Sequence, residues 1–401
     1  MESWDAVIVG GGIVGLATAH ALIQAKPQWR ICVLEKEGSV AEHQSSRNSG
    51  VIHSGIYYPP NSHKALLCRW GKSLLERFCE EEGVETQRCG KLIVAREKAE
   101  LSRLLALLDR GRLNGVECRQ IDEHELREME ANVQGIGAIW IPETGLIDYG
   151  EFTRVLAIRL ERAGVQISRN TQALRIWTNR GSVGVETLQG SLRTRYAVNC
   201  AGLYSDRIAR RSGMAMKARI IPFRGEYYEL RESARHLCRS LIYPLPDPRF
   251  PFLGVHLSPT LDGRVLCGPN AMVSFAREGY RRSDMNFRDL WETLSYPGFL
   301  RFAIRHGGSG IREAWRAFSK RSFLRSVQTL VPAVKLDDLI PAPSGVRAQS
   351  MTWDGQLVED FWVEQDGPVF HICNAPSPAA TSSLAIGEHI SSLLLKYHGT
   401  A

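Results

Sequence analysis

The chain of 401 residues lacks several features that define whole classes of protein. Its nine cysteines contain no C-x-x-C pair, which excludes the closely spaced thiolates of zinc ribbons and thioredoxin-like redox sites. Their odd number and scatter read as reduced thiols in a cytoplasmic setting, not a disulfide framework, and no metal site is expected. No stretch offers the ~20 consecutive apolar residues that a spanning helix needs. Glu2 and Asp5 stand where a secretory signal would be basic, so no such signal is expected. What remains is a soluble globular chain, 44% hydrophobic and 23% charged, with material for one large interwoven unit or two to three domains.

The most informative stretch comes first. Ala6 to Val9 is an apolar run suited to a buried parallel strand, and Gly10, Gly12 and Gly15 follow it at G-x-G-x-x-G spacing. Gly10 permits a sharp turn, Gly12 a close approach to a pyrophosphate, and Gly15 a close helix–strand contact. The free N–H groups of the helix start, at Ile13 and Val14, would face phosphate. Ile31 to Leu34 reads as a second strand, and Glu35, with Lys36 beside it, falls 20 positions after Gly15. A carboxylate there suits a ribose 2'-hydroxyl and disfavours the 2'-phosphate of NADP. The motif alone does not choose between NAD and FAD.

Residues 45–58 form a hydroxyl-rich stretch with two tyrosines at its end. Small residues there allow a flat ring to approach, and Ser45, Ser46, Asn48 and Ser49 can bond phosphate or ring polar atoms beside Gly50 and Val51. Together with the first unit, Ser45, Ser46, Ser49, His53, Gly55 and Tyr58 match Ser-Ser-x-x-Ser-x-x-x-His-x-Gly-x-x-Tyr. The pattern resembles the FAD-dependent D-amino-acid oxidase and glycerol-3-phosphate dehydrogenase superfamily, and that resemblance implies FAD. Ala201 and Gly202, at the end of an apolar strand, resemble the superfamily's second glycine motif. In the superfamily a loop like 374–381, with Asn374, Pro378, Ala379, Ala380 and Thr381, sits by the flavin pyrimidine ring.

The expected fold is α/β. A Rossmann-like, discontinuous FAD-binding domain at 1–82, 149–216 and 346–401 is interwoven with an antiparallel-sheet α+β substrate domain at 83–148 and 217–345. Proline-punctuated alternating stretches, such as 221–230 and 253–258, carry the second assignment.

Six separate motifs narrow the resemblance. Asn-Ser-Gly-Val-Ile-His at 48–53, Pro-Phe-Arg-Gly-Glu-Tyr at 222–227, Pro-Phe-Leu-Gly-Val-His at 251–256, Gly-Pro-Asn-Ala at 268–271, Gly-Val-Arg-Ala-Gln at 345–349 and Asn-Ala-Pro-Ser-Pro-Ala-Ala-Thr at 374–381 resemble the L-2-hydroxyglutarate dehydrogenases, also called oxidases. The resemblance implies an enzyme that oxidises a small 2-hydroxy dicarboxylate by hydride transfer to flavin. His53 and His256 are the candidate bases, since an imidazole near its ordinary pKa of ~6.5 accepts a proton at working pH. Two substrate carboxylates call for fixed cations. Arg347 is the first choice, because arginine binds carboxylates in bidentate fashion; Arg224 and Tyr243 are second choices, and Tyr58 and Asn374 complete the expected set.

Residues 281–325 carry ten basic side chains against four acidic ones, nearly the whole net charge of +7, with aromatics interleaved. Within it Ile311, Ala314, Trp315 and Phe318 fall on one helical face and Arg312, Arg316 and Lys320 on another. Such a segment suits docking on the inner face of the cell membrane, with quinone or oxygen as electron acceptor, and equally a helix pair packed on the protein. No nucleic-acid-binding signature accompanies the charge. The alternatives are a sister flavoenzyme for an amine or glycerol phosphate, and a non-enzymic flavin-bound membrane adaptor.

Overall fold

The computed structural model describes residues 3–179, 182–247, 253–305 and 319–400. Strand Ser3–Val9 lies in the middle of an eight-stranded sheet, flanked by the parallel strands Gly190–Asn199 and Ile31–Leu34. Gln166–Ser168 extends the parallel set on one side, and Val369–Asn374 pairs with the far end of Gly190–Asn199 on the other. The strand's alternation distributes it over two cores: Ala6 and Ile8 pack with helix Ile13–Ala25 on one face, Val7 and Val9 with Ile176, Val183 and Ile208 on the other. A strand buried on both faces reads as a continuous apolar run, which is why this stretch was legible. The closing helix Ser383–Thr400 lies against Ile13–Ala25 so tightly that a Cβ on Gly387 would sit 2.3 Å from the Ala17 carbonyl oxygen. The two ends of the chain thus meet beside the first glycine motif.

A second, nine-stranded sheet is built around the long strand Ala218–Leu230, which pairs antiparallel with Leu339–Thr352. The expected antiparallel character holds except at one seam: Leu241–Pro244 runs parallel to Lys91–Ala95, joining the piece before residue 148 to the piece after 217. Leu339–Thr352 crosses residue 346 without a break and carries Arg347 opposite Phe223. A three-stranded sheet of Val51–Ile52, Gly145–Ile147 and Thr86–Arg88 ties the hydroxyl-rich loop to the second sheet's neighbourhood.

In the basic stretch, Phe287–Leu294 and Lys320–Gln328 are helices, and Phe323 and Val327 bury into the second sheet's core. The face formed by Ile311, Ala314, Trp315 and Phe318 lies outside the described residues. No described helix is long and apolar enough to cross a membrane.

Candidate active site

The glycine loop forms one end of a cavity of about 1410 Å³, larger than the roughly 300–1,000 Å³ of an ordinary small-ligand pocket and suited to a long cofactor with a substrate beside it. Gly10 has φ +110°, and a Cβ there would stand 2.5 Å from the Cys200 carbonyl oxygen; one on Gly15 would stand 2.0 Å from the Gly10 oxygen. These close approaches bring Gly12, Ile13 and Val14 to the cavity wall. Gly12 starts the helix without a side-chain cap, and Ser45 supplies one from a distance, its Oγ accepting from the Ile13 N–H at 2.9 Å. Glu35 crosses under the loop: its two oxygens accept from the N–H groups of Gly11 at 2.8 Å and Glu37 at 2.9 Å. Ser49, Val51 and Gly202 continue the wall, as do Pro378, Ala379 and Ala380. A cradle of small residues, helix N–H groups and a carboxylate beneath the loop fits the ADP half of FAD.

Several expected cofactor residues stand behind the wall. Gly50 and Ala201 shape turns. Thr381 is fully buried and joins two segments, its Oγ1 bonding the Tyr149 hydroxyl at 2.7 Å and accepting from the His53 N–H at 3.1 Å. Asn48 reaches the cavity, but its amide donates to the carbonyls of Gln44 and Ser45, so it braces its own loop. Ser46 is exposed and donates to the His43 carbonyl. Lys36 also turns away: its ammonium is held by Glu37, by Glu278 at 2.7 Å and by His43 at 3.0 Å. Glu37, His43 and Glu278 are spaced closely enough to share a metal ion, and the Lys36 ammonium already pairs with both carboxylates.

At the other end of the cavity the wall includes His53, Tyr58, Tyr243, His256 and Arg347. His256 starts strand His256–Pro259, and its Nδ1 lies 2.9 Å from the Gly254 carbonyl, an acceptor only. That contact places the proton on Nδ1 and leaves Nε2 as the basic nitrogen. The Tyr243 ring stacks on His256 with centroids 3.8 Å apart. Burial, and then the charge of Lys91, push both His53 and His256 down to about 3. Both imidazoles are therefore neutral at working pH, as a base must be, and far weaker proton acceptors than an ordinary histidine.

Two expected substrate ligands are otherwise engaged. Arg224 is buried away from the cavity lining, donating to the Arg281 carbonyl at 2.7 Å and to Glu226 at 3.1 Å, and so holds the strand edge. Asn374 touches the cavity, but its amide donates to the carbonyls of Val358 at 2.8 Å and Asp360 at 2.9 Å while its Oδ1 accepts from Ser350 at 3.3 Å. A side chain committed at both ends clamps the backbone.

Sequence reasoning missed Tyr57, Tyr149, Tyr227 and Gln349, which line the cavity, and Lys91. Lys91 is 2% exposed, with its ammonium 3.7 Å from the Tyr243 ring centre and 4.4 Å from that of Tyr57. The available signal was a lysine opening the otherwise apolar strand Lys91–Ala95, where burial was expected.

A model of the family described as FAD dependent oxidoreductase matches residues 5–393. The chain is 43% identical over 395 residues to the L-2-hydroxyglutarate dehydrogenase of Indibacter alkaliphilus, covering 98% of this chain and 99% of that protein. It is 42% identical to the L-2-hydroxyglutarate dehydrogenase of Escherichia coli K12 (96% and 92% covered) and 42% identical to the human mitochondrial one (97% and 88%). Among solved structures, the FAD-bound L-alpha-glycerophosphate oxidase of Mycoplasma pneumoniae superposes with TM-score 0.81 at 24% identity, covering 98% of this chain and 95% of that one. The Geobacillus kaustophilus glycine oxidase superposes with TM-score 0.74 at 19% identity, covering 99% and 95%. These two share the fold.

Proposed function

The chain belongs to the FAD dependent oxidoreductase family, and from that premise we propose that it oxidises L-2-hydroxyglutarate to 2-oxoglutarate. One observation carries the reading: identity above 40% along nearly the whole chain to proteins named for that substrate. The cavity supports it, since neutral histidines and an arginine share its second end.

Bound FAD supplies the hydride acceptor and thus the redox chemistry. Gly12, Ile13 and Val14 would hold its pyrophosphate at the helix start, and Glu35, by fixing the Gly11 and Glu37 N–H groups, would keep the loop in shape for the ribose. Arg347 binds a substrate carboxylate in bidentate fashion and fixes C2. Nε2 of His256 takes the hydroxyl proton as C2 is oxidised, and the Nδ1 contact with Gly254 keeps the ring turned for it. His53 is the second candidate for that proton. An anionic substrate raises the proton affinity of both rings, so the weak bases of the ligand-free cavity strengthen on binding.

Anaerobic mixing of the purified flavoprotein with L- and D-2-hydroxy acids, amino acids and glycerol phosphate tests the reading. Flavin bleaching by L-2-hydroxyglutarate ahead of the rest is expected. Bleaching by an amine or glycerol phosphate alone selects a sister enzyme, and a flavin reduced by none of them selects a binding protein.

For the acceptor, we propose a membrane quinone reached by peripheral docking. Phe287, Trp291 and Ile304 are 81%, 73% and 84% exposed, and Met285, Leu294 and Leu300 are also exposed, close in sequence to Arg288, Arg301 and Arg305. Apolar side chains among basic ones suit an anionic lipid surface. The helical residues 297–305 also carry Phe302 and Arg305, which line the cavity, so the exposed patch and the cavity share one element. Replacing Phe287, Trp291 and Ile304 with Ser should abolish sedimentation with phosphatidylglycerol vesicles; unchanged sedimentation removes this patch as the docking surface.

A further inference from the structure

We propose that Lys91, together with the hydroxyls of Tyr57 and Tyr243, forms the subsite for the substrate's second carboxylate and so sets the preference for a dicarboxylate. The inference rests on the 2-hydroxy dicarboxylate reading above and assigns residues that reading left open.

Among the described residues, four lysine or arginine side chains are buried: Lys72, Lys91, Arg224 and Arg277. Three have carboxylates, Lys72 from Glu76 and Glu143, Arg224 from Glu226, and Arg277 from Asp206. Lys91 has neither a carboxylate nor a hydrogen-bond partner among the described residues. An unpaired ammonium taken out of water is costly, and protein cations that stay buried are as a rule paired. Two aromatic faces offset part of that cost, but neither neutralises the charge.

The tyrosines that flank it carry the second observation. The hydroxyls of Tyr57 and Tyr243 are both buried and make no hydrogen bond within 3.5 Å, although the Ser258 hydroxyl, itself unpartnered, is near enough to influence Tyr243, and both residues line the cavity. Two orphaned donors in the lining, with an orphaned cation packed against their rings, form a set complementary to a carboxylate, which would accept from the hydroxyls and be drawn by the charge behind them. Arg347 influences Tyr243, Tyr227 and His256, while Lys91 influences His256 and His53. The Tyr243–His256 stack thus has two cations within electrostatic reach, Lys91 from the strand paired with that of Tyr243 and Arg347 from the more distant strand Leu339–Thr352, the arrangement a molecule with two carboxylates requires. Burial, the dominant effect, brings the Lys91 ammonium down to about 7 despite the small opposing influence of Cys68. The groups facing it, Tyr57, Tyr243, His53, His256 and Cys68, are all neutral at that pH.

The test uses the FAD-loaded protein and two unreactive probes, glutarate and pentanoate, with binding read from perturbation of the oxidised flavin spectrum. In the wild type glutarate should bind tighter, and its dissociation constant should rise with pH above about 7. Lys91→Met should weaken glutarate about 100-fold or more, leave pentanoate nearly unchanged, and abolish that pH dependence. Tyr57→Phe and Tyr243→Phe, which preserve packing, should each weaken glutarate selectively by about tenfold. A wild-type glutarate to pentanoate ratio in all three variants overturns the subsite. If L-2-hydroxyglutarate still bleaches the wild-type flavin, only the subsite has failed; if it does not, the functional reading has failed with it.

Discussion

At the glycine-loop end of the cavity the polar groups already have partners: Gly11 N–H has Glu35, Ile13 N–H has Ser45, and Asn48 braces its own loop. At the far end the hydroxyls of Tyr57 and Tyr243 have none, and Lys91 has no carboxylate. The first end is a rigid cradle assembled by backbone geometry. The second is a set of side chains from separate elements whose hydrogen-bonding capacity is not used within the protein. The cradle fits a cofactor shared across a family, and in the reading proposed above the far end selects the substrate.

The largest expected effect breaks the cradle. Gly15→Val places a side chain against the Gly10 carbonyl, where even a Cβ would stand 2.0 Å away, and the purified protein should lose nearly all of its flavin absorbance. Full flavin content in that variant would show that the loop is not rigid. At the other end, His256→Ala should slow flavin reduction by about 10²–10⁴-fold with flavin content intact. Arg347→Ala should instead raise the apparent substrate constant, by about 100-fold for a lost carboxylate pair. Stopped-flow reduction across substrate concentrations separates the two, and equal effects on rate and affinity from both would merge the roles assigned to them.

A smaller effect follows from four histidines held neutral mainly by burial: His20 and His371 brought down to about 4, His53 and His256 to about 3. An unfolded histidine titrates near 6.5, so between that value and the folded one the unfolded chain binds more protons. The stabilisation is fully present above about pH 6.5 and is lost as pH falls toward 3. The melting temperature should drop steadily between pH 6.5 and 4.5, and a flat profile there would contradict the buried, neutral assignment.

The smallest effect marks the boundary between site and scaffold. Asn374→Ala leaves the Asp360 carbonyl without the Asn374 donor and the Val358 carbonyl with only that of Gln349, costing about 1 kcal/mol of stability with little change in substrate affinity. A large loss of affinity in a well-folded Asn374→Ala protein would return that residue to the substrate site.

This contrast also explains what could be read from the chain alone. The first strand, its glycines and Glu35 are local in sequence, and each obeys a backbone rule of turn, approach or burial, so cofactor class and fold were legible. The far end is not local. Lys91, Tyr57, Tyr243 and His256 come together only because Leu241–Pro244 runs parallel to Lys91–Ala95 and His256–Pro259 pairs beside it, a register that no single stretch records. Arg224 and Asn374 carry chemistry that suits a carboxylate, and in the fold Glu226 engages the first while the Val358 and Asp360 carbonyls engage the second, which still touches the cavity. Lys36 next to Glu35 was drawn away by Glu278, more than two hundred residues distant.

One end of this cavity fits the cofactor, and the other is proposed to commit it to a 2-hydroxy dicarboxylate. Anaerobic titration of the purified flavoprotein with L-2-hydroxyglutarate, following flavin absorbance and product together, tests it most directly. Bleaching that tracks 2-oxoglutarate formation in a one-to-one ratio is expected. An oxidised spectrum that persists through excess L-2-hydroxyglutarate, in a protein whose flavin an amine or glycerol phosphate does bleach, would contradict it.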